Sequence, residues 1–533
     1  MIRRFREWRT WQAFFSVALL FVMIHMGVKF MNAGHSYEQA VPFRIFCSSF
    51  AALILVNMKP KYYLTWFSLA WLPLCYLITH IGYEKQMIPD VCNYQFTDVI
   101  RLGKLVVLFW GWMLIALLHQ IIRENLFGVF LKKITQGTMR QKGLLLLWLV
   151  YVVVLTVFNP GYYYVIVFTV GFSAFFMVCS DEKTRRRIFA SYLAAMVLSF
   201  LFISYKSLRH RPYDTERYLL YFANENMAGM YLGSVMLTMA TLLDASWRMH
   251  KGTLRKIALV VFHLLTGWLG VLAFYNYTRT YLTGLLFSLF VFFLIRMIRF
   301  KERRKEILLH FALPFLLTAL LVLPGYYLIR YIPAYFKQPT YFATEYDNPT
   351  RIHPEDPSDS PKYTSLSRFL TLSLGKWGIS VHLDEDYNPI EEGDDEAVSI
   401  DTERDVSNGR TYIWGLFLER MTFAGHYPGH IIVDEDWLIY HAHNTYLQNM
   451  YQYGIPAGIL FALLIGCSYL TAAGGVWKHR KQTAAEVYPL LALGLVAFGM
   501  LTEWSGHPVY PFGLVLMISL CCLLHRREDR EKE

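Results

Sequence analysis

The chain has 533 residues, of which 55% are hydrophobic, 17% aromatic and only 17% charged. A soluble globular protein carries roughly 25% charged residues, so with a mean hydropathy of +0.31 a soluble enzyme and a disordered chain are excluded. A nucleic-acid binder with a basic groove is excluded too, despite a net charge of +11, and what remains is an all-α polytopic membrane protein.

The N-terminus, MIRRFREWRTWQAFF, starts like a signal peptide. Its apolar stretch has no small-residue cleavage site and is followed by further spans, so it reads as an uncleaved first helix. A span needs about 20 mainly apolar residues. Fourteen candidates follow in order: 11–31, 43–58, 62–82, 105–122, 143–158, 161–179, 188–205, 227–246, 257–275, 281–298, 307–329, 446–472, 486–503 and 509–524. Only the turn Asn159-Pro160-Gly161 separates the fifth from the sixth. Of the seven cysteines, Cys92 alone sits in a loop, and no C-x-x-C occurs. Neither a disulfide framework nor a thiolate zinc site is indicated.

Cytoplasmic loops collect Lys and Arg. With the N-terminus inside, the inner loops of a fourteen-span chain hold 32 of the 51 basic residues. Every short inner loop satisfies the rule, and no thirteen-span version does. The expected topology therefore has both termini in the cytoplasm. Two outer segments stand apart. KSLRHRPYDTER (206–217) holds four basic residues, Arg211 and Arg217 among them. Residues 330–442 hold 9 basic against 20 acidic residues, which reads as a large extracytoplasmic loop region with a solvated acidic middle. The expected division is 1–205 (spans one to seven), 206–329 (spans eight to eleven with the basic loop), 330–442, and 443–533 (spans twelve to fourteen and a short tail).

Polar residues near the membrane usually face a cavity or a partner. Here they cluster in four places: Arg217, Asn224 and Asn226 before span eight; Arg279 between spans nine and ten; Arg410 and Trp414 in NGRTYIWGLFLERM; and His441, His443, Asn444 and Gln448 before span twelve. All four fall on the outer side of a topology derived without them. Arginines near one interface suit a phosphate-rich ligand, because guanidinium binds phosphate bidentately and stays charged. A histidine beside them suits a general base. His426 and His430 lie upstream of the H-x-H pair, but the spacing is not that of a zinc site, and no metal or other cofactor is expected. Lys29, Arg44, Asp244 and Glu503, near helix ends, read as structural or snorkelling charges.

In this order the clusters resemble the O-antigen ligase/polymerase family of bacterial membrane glycosyltransferases. His443-Asn444 is followed by nine residues and Gly454, similar to the family's histidine motif before G-x-x-G; Ala457 replaces the second Gly, and Gly458 comes one place later. Arg217, Phe222, Asn224 and Asn226 match R-x-x-G-x-F-x-N-P-N, with Leu220 and Glu225 in place of its Gly and Pro. Thr278-Arg279-Thr280 is similar to the family's S-R-S/G turn, and Arg410 with Trp414 to its R-x-x-x-W. The matched region covers roughly residues 209–470, and fourteen spans depart from the family's usual twelve or so.

The resemblance implies a metal-independent glycan transferase on the outer face of the bacterial cytoplasmic membrane. Its partners would be an undecaprenyl-diphosphate-linked glycan donor, a glycan acceptor hydroxyl, the lipid bilayer and polysaccharide assembly proteins, with no nucleic acid. His443, Arg279 and Arg217 would be catalytic. Arg410, Arg211, Asn224, Asn226, Asn444 and Trp414 would bind substrate. Two other classes compete. A lipid-linked glycan flippase would be expected to show mid-membrane charges and two related halves, and no internal repeat is seen. A non-catalytic component of a polysaccharide assembly complex would tolerate loss of His443.

Overall fold

The computed structural model describes residues 8–33, 36–84, 97–125, 138–158, 167–210, 218–249, 252–336, 409–426, 429–433, 438–478 and 483–525, with isolated pieces at 128, 165, 213–214, 341–342, 382–383 and 398–399. These residues are overwhelmingly helical. In chain order the helices are α1 Trp8–Asn32, α2 Ser36–Asn57, the single turn α3 Pro60–Tyr63, α4 Trp66–Glu84, α5 Thr97–Glu124, α6 Met139–Phe158, α7 Phe172–Val178, α8 Glu182–His210, α9 Glu225–Trp247, α10 Thr253–Asn276, α11 Arg279–Arg299, α12 Arg304–Tyr335, α13 Arg410–Glu419, α14 Thr445–Tyr453, α15 Ile455–Lys478, α16 Ala484–Thr502 and α17 Pro511–Leu524. Six two-residue strands complete the list: β1 Tyr213–Asp214, β2 Tyr341–Phe342, β3 His382–Leu383, β4 Val398–Ser399, β5 Ile431–Ile432 and β6 Leu438–Ile439. β1 pairs with β2 in parallel; β3–β4 and β5–β6 are antiparallel.

Among the described residues eleven helices are long and apolar enough to cross a membrane, and three shorter apolar helices cover Trp66–Ile81, Thr169–Val178 and Pro511–Leu524. The chain is thus an all-α multi-pass membrane protein, and four of the expected spans differ from it: α17 is the short helix of 509–524, and the other three differ for local reasons. Segment 62–82 is interrupted at Leu64, after which the chain restarts at Trp66. The described part of 161–179 opens in a π-turn, Val167–Gly171, before α7. Segment 446–472 is two helices: Gly454, at φ +93°, breaks it, and α15 starts only at Ile455.

The chain forms two compact units, residues 1–199 with 420–533 and residues 200–419. In the first, α1 packs on α2, α2 and α4 on α5, and α15 on α6 and α16. At its centre lies α17, buried from Pro511 to Leu523 and touching α1, α6, α7, α15 and α16. Its 14 residues reach about 21 Å, short of the roughly 30 Å hydrocarbon layer. A helix apolar on all sides belongs either in a core or in lipid, and this one is core.

In the second unit α9, α10, α11 and α12 pack together, α9 against α10 and α11, and α12 against α10 and α11. The outward face of α12 carries Leu308, Leu309, Phe315, Leu316, Leu320 and Leu323, each about half exposed or more. Their spacing makes a helical stripe that in water would be an exposed apolar patch, and in a bilayer is the lipid face.

Candidate functional site

The histidine cluster belongs to the first unit. Gly425 and Gly454, both at positive φ, let the 422–426 strap lie directly on the break between α14 and α15. A Cβ on Gly454 would stand 2.2 Å from the Phe423 carbonyl oxygen, and one on Gly425 2.6 Å from the Gln452 carbonyl oxygen. His426 N–H donates to the Tyr451 carbonyl (2.9 Å), and its ring stacks on Tyr451. The β5–β6 hairpin then delivers the chain to His441.

Three interactions fix the next residues. Ala442 N–H donates to Gln448 Oε1 (2.8 Å), while the buried Gln448 amide donates to the Gly429 carbonyl (2.7 Å). Asn444 caps α14, its Oδ1 accepting from Tyr446 N–H (3.0 Å) and Leu447 N–H (3.1 Å). Thr445 Oγ1 donates to the Glu503 carbonyl (2.7 Å) and accepts from Ser505 N–H (2.9 Å). The last pair pins the start of α14 to the end of α16. Gly506 allows that approach, since a Cβ there would meet Thr445 Cγ2 at 2.5 Å.

Between these anchors His443 takes φ +46°, a left-handed conformation that is uncommon without glycine and is retained where the surroundings over-determine it. Its ring turns toward Glu503, with Nδ1 3.4 Å from Oε2. The His443 side chain is 37% exposed and that of Glu503 only 10%. His441 lies against the pair: its ring centroid is 4.2 Å from that of His443, and its Nδ1 accepts from His443 N–H (3.4 Å). Trp504 closes the far side of His441. Behind them His507 stacks on Phe30 at 4.9 Å, and burial pushes its pKa down to about 3, so it is neutral. Among the described residues no group of three or more His, Cys, Asp or Glu side chains is arranged to hold a metal.

Glu503 is the residue that sequence reasoning passed over, as a helix-end charge. A buried carboxylate beside a half-exposed imidazole is the arrangement that orients a histidine and stabilises its protonated form. The available signal was a lone acid at the end of an apolar run with no basic residue near it in sequence.

The second unit brings together two other clusters. Asn224 caps α9, accepting from Asn226 N–H (2.7 Å). Asn276 Nδ2 donates to the carbonyls of Tyr218 (3.2 Å) and Glu225 (3.3 Å), and Thr278 Oγ1 donates to Glu225 O (2.9 Å). Tyr218 N–H reaches the Tyr275 carbonyl (2.9 Å). The 218–226 segment and the 276–279 turn are therefore one hydrogen-bonded corner. It sets Arg279, partly exposed, in the first turn of α11 beside the N-terminus of α9. Gly229 packs against Thr278 and Tyr281 beneath this corner. Positive helix ends and a guanidinium at one corner favour an anion.

Arg410 opens α13 after Gly409 at φ +75°, and Trp414 follows one turn later on the same face, with its Nε1–H buried and lacking a hydrogen-bond partner among the described residues. Arg211 and Arg217 lie outside the described residues, as does most of the acidic stretch. The oxygens of Asn224 and Asn444 are engaged in capping, which leaves their amide N–H groups as the ends able to meet a ligand. Asp244, read as structural, is ion-paired with Arg248 and Arg296.

Compared with protein-family models, curated proteins and solved structures, the chain gives no match.

Proposed function

We propose that this protein transfers a glycan from an undecaprenyl-diphosphate-linked donor to a sugar hydroxyl, as a polysaccharide polymerase or O-antigen-type ligase in the bacterial cytoplasmic membrane. The observation that carries the reading is the His443–Glu503 pair, a half-exposed imidazole beside a buried carboxylate, held at the start of α14. In this reading Nδ1–H of His443 donates to Glu503, which leaves Nε2 to accept a proton.

The acceptor hydroxyl oxygen bonds to the donor's anomeric carbon as the bond from that carbon to the phosphate oxygen breaks. The hydroxyl proton passes to His443, and undecaprenyl diphosphate departs with the electron pair. Diphosphate is a good leaving group, so the chemistry asks for charge stabilisation rather than a second acid. By the sequence motifs that part falls to Arg279, with Arg217 and Arg410, and bidentate guanidinium is suited to it. Arg211, Asn224, Asn226, Asn444 and Trp414 serve substrate binding.

A flippase would move the same donor without breaking a bond. Purified protein in liposomes loaded with lipid-linked glycan separates the two: transfer releases undecaprenyl diphosphate and lengthens or relocates the glycan, whereas flipping leaves the donor intact. Movement of intact donor with no product would overturn the proposal.

A further inference from the structure

A cavity of about 480 Å³ runs between α9, α10, α11 and α12 of the second unit, within the usual range for ligand pockets. Its walls are apolar, with Ala240, Gly270, Phe274 and Leu289 among them. Along α11 the lining extends from Leu282 to Arg296, about 21 Å at the helical rise. One leaflet of the hydrocarbon core is about 15 Å deep, so the cavity is long enough to hold one acyl chain.

Its two ends differ. Tyr277 and Leu282 close one; Asp244, Trp247 and Arg296 stand at the other. Arg296 is only 3% exposed. Its Nη2 donates to Asp244 (2.9 Å), and its guanidinium lies over Phe292 and Phe300. Its Nε and Nη1 are buried with no hydrogen-bond partner among the described residues. Leaving a buried charged donor unsatisfied is expensive. Asp244 does not answer that need, because it is shared with Arg248 (2.5 Å). Around this end Glu306 accepts from Trp247 (3.1 Å) and Arg303 (2.6 Å). Asp244 and Glu306 face Arg248, Arg296 and Arg303, with Arg255 also acting on Glu306, so positive charge is in excess.

We propose that this cavity is a binding site for an anionic phospholipid: one acyl chain fills the apolar cavity, and a phosphate oxygen accepts from Nη1 of Arg296. The site is separate from the proposed transfer chemistry and does not depend on it. The membrane itself supplies the ligand. The apolar length takes the chain, the orphan Nη1 gives a phosphate oxygen a charge-assisted hydrogen bond, and the surplus positive charge selects a net-negative headgroup over a zwitterionic one.

Native mass spectrometry of the delipidated full-length protein, titrated with dioleoyl-phosphatidylglycerol or dioleoyl-phosphatidylcholine in mixed micelles, tests this. The wild type should retain phosphatidylglycerol at about tenfold lower lipid concentration, the effect of one charge-assisted hydrogen bond or more. Arg296→Gln should erase that preference. Ala240→Phe, which narrows the cavity and leaves the ion cluster intact, should weaken retention of both lipids, and it keeps the test open if Arg296→Gln does not fold. Equal retention of the two lipids by the wild type, or an unchanged preference in Arg296→Gln together with unchanged retention in Ala240→Phe, would overturn the proposal.

Discussion

At the residue scale the His443–Glu503 pair joins one residue that the sequence motifs pick out to one that they do not. His443 and Asn444 were legible from their spacing to Gly454, because a helix start and a helix break nine residues on leave a local trace. Glu503 was not, since it comes from another helix and reaches His443 only through the Thr445–Ser505 pin. Replacing Glu503 with Gln keeps the side chain's size and removes its charge. The expected result in a donor-saturation assay is a lower kcat with KM little changed, because the carboxylate assists a proton transfer and does not bind donor. A rise in KM alone would make Glu503 part of the binding surface instead. Arg279→Lys keeps the charge and loses the bidentate fork, so turnover should still fall; a normal rate would make Arg279 an interfacial anchor. Asn444 has a structural part as well, as the cap of α14. Asn444→Ala should lower stability by about 1 kcal/mol, the usual value of an N-cap, measured as a fall in melting temperature in detergent.

At the scale of elements, glycine and apolar content explain what the sequence concealed. The break at Gly454 turned one expected span into two helices, and the short helix α14 carries the histidine site on its N-terminus. Apolar periodicity is blind to such a break, because both pieces are hydrophobic. Gly454→Ala puts a methyl group against the Phe423 carbonyl and an L-residue at φ +93°. A destabilisation of about 1–3 kcal/mol is expected from the backbone conformation alone, read as a melting shift together with loss of transfer activity. α17 hides its surroundings for a related reason: a core helix inside a membrane protein and a lipid-facing helix have the same composition. Only its 14-residue length and its burial on every side separate them. The corner joining 218–226 to 276–279 was legible only as two separate polar clusters, because the bonds of Asn276 and Thr278 to Tyr218 and Glu225 join segments about fifty residues apart.

For the whole molecule, the membrane class followed from composition and charge alone, and the eleven long apolar helices agree with it. Orientation rests on the Lys and Arg count. It predicts that externally added thiol reagent labels a cysteine placed at Ser358 and misses one placed at Lys301; the reverse pattern would turn the proposed transfer face to the cytoplasm. The central claim is that a glycan is transferred with His443 at the chemical step, and it is tested most directly by the release of undecaprenyl diphosphate from a purified lipid-linked donor. His443→Ala should cut that release by about 10²–10⁴-fold, the usual contribution of a general base, while donor binding stays near normal. His441 touches His443, so His430→Ala is the cleaner control and should remain active. Release at the wild-type rate by a folded His443→Ala protein would contradict the account.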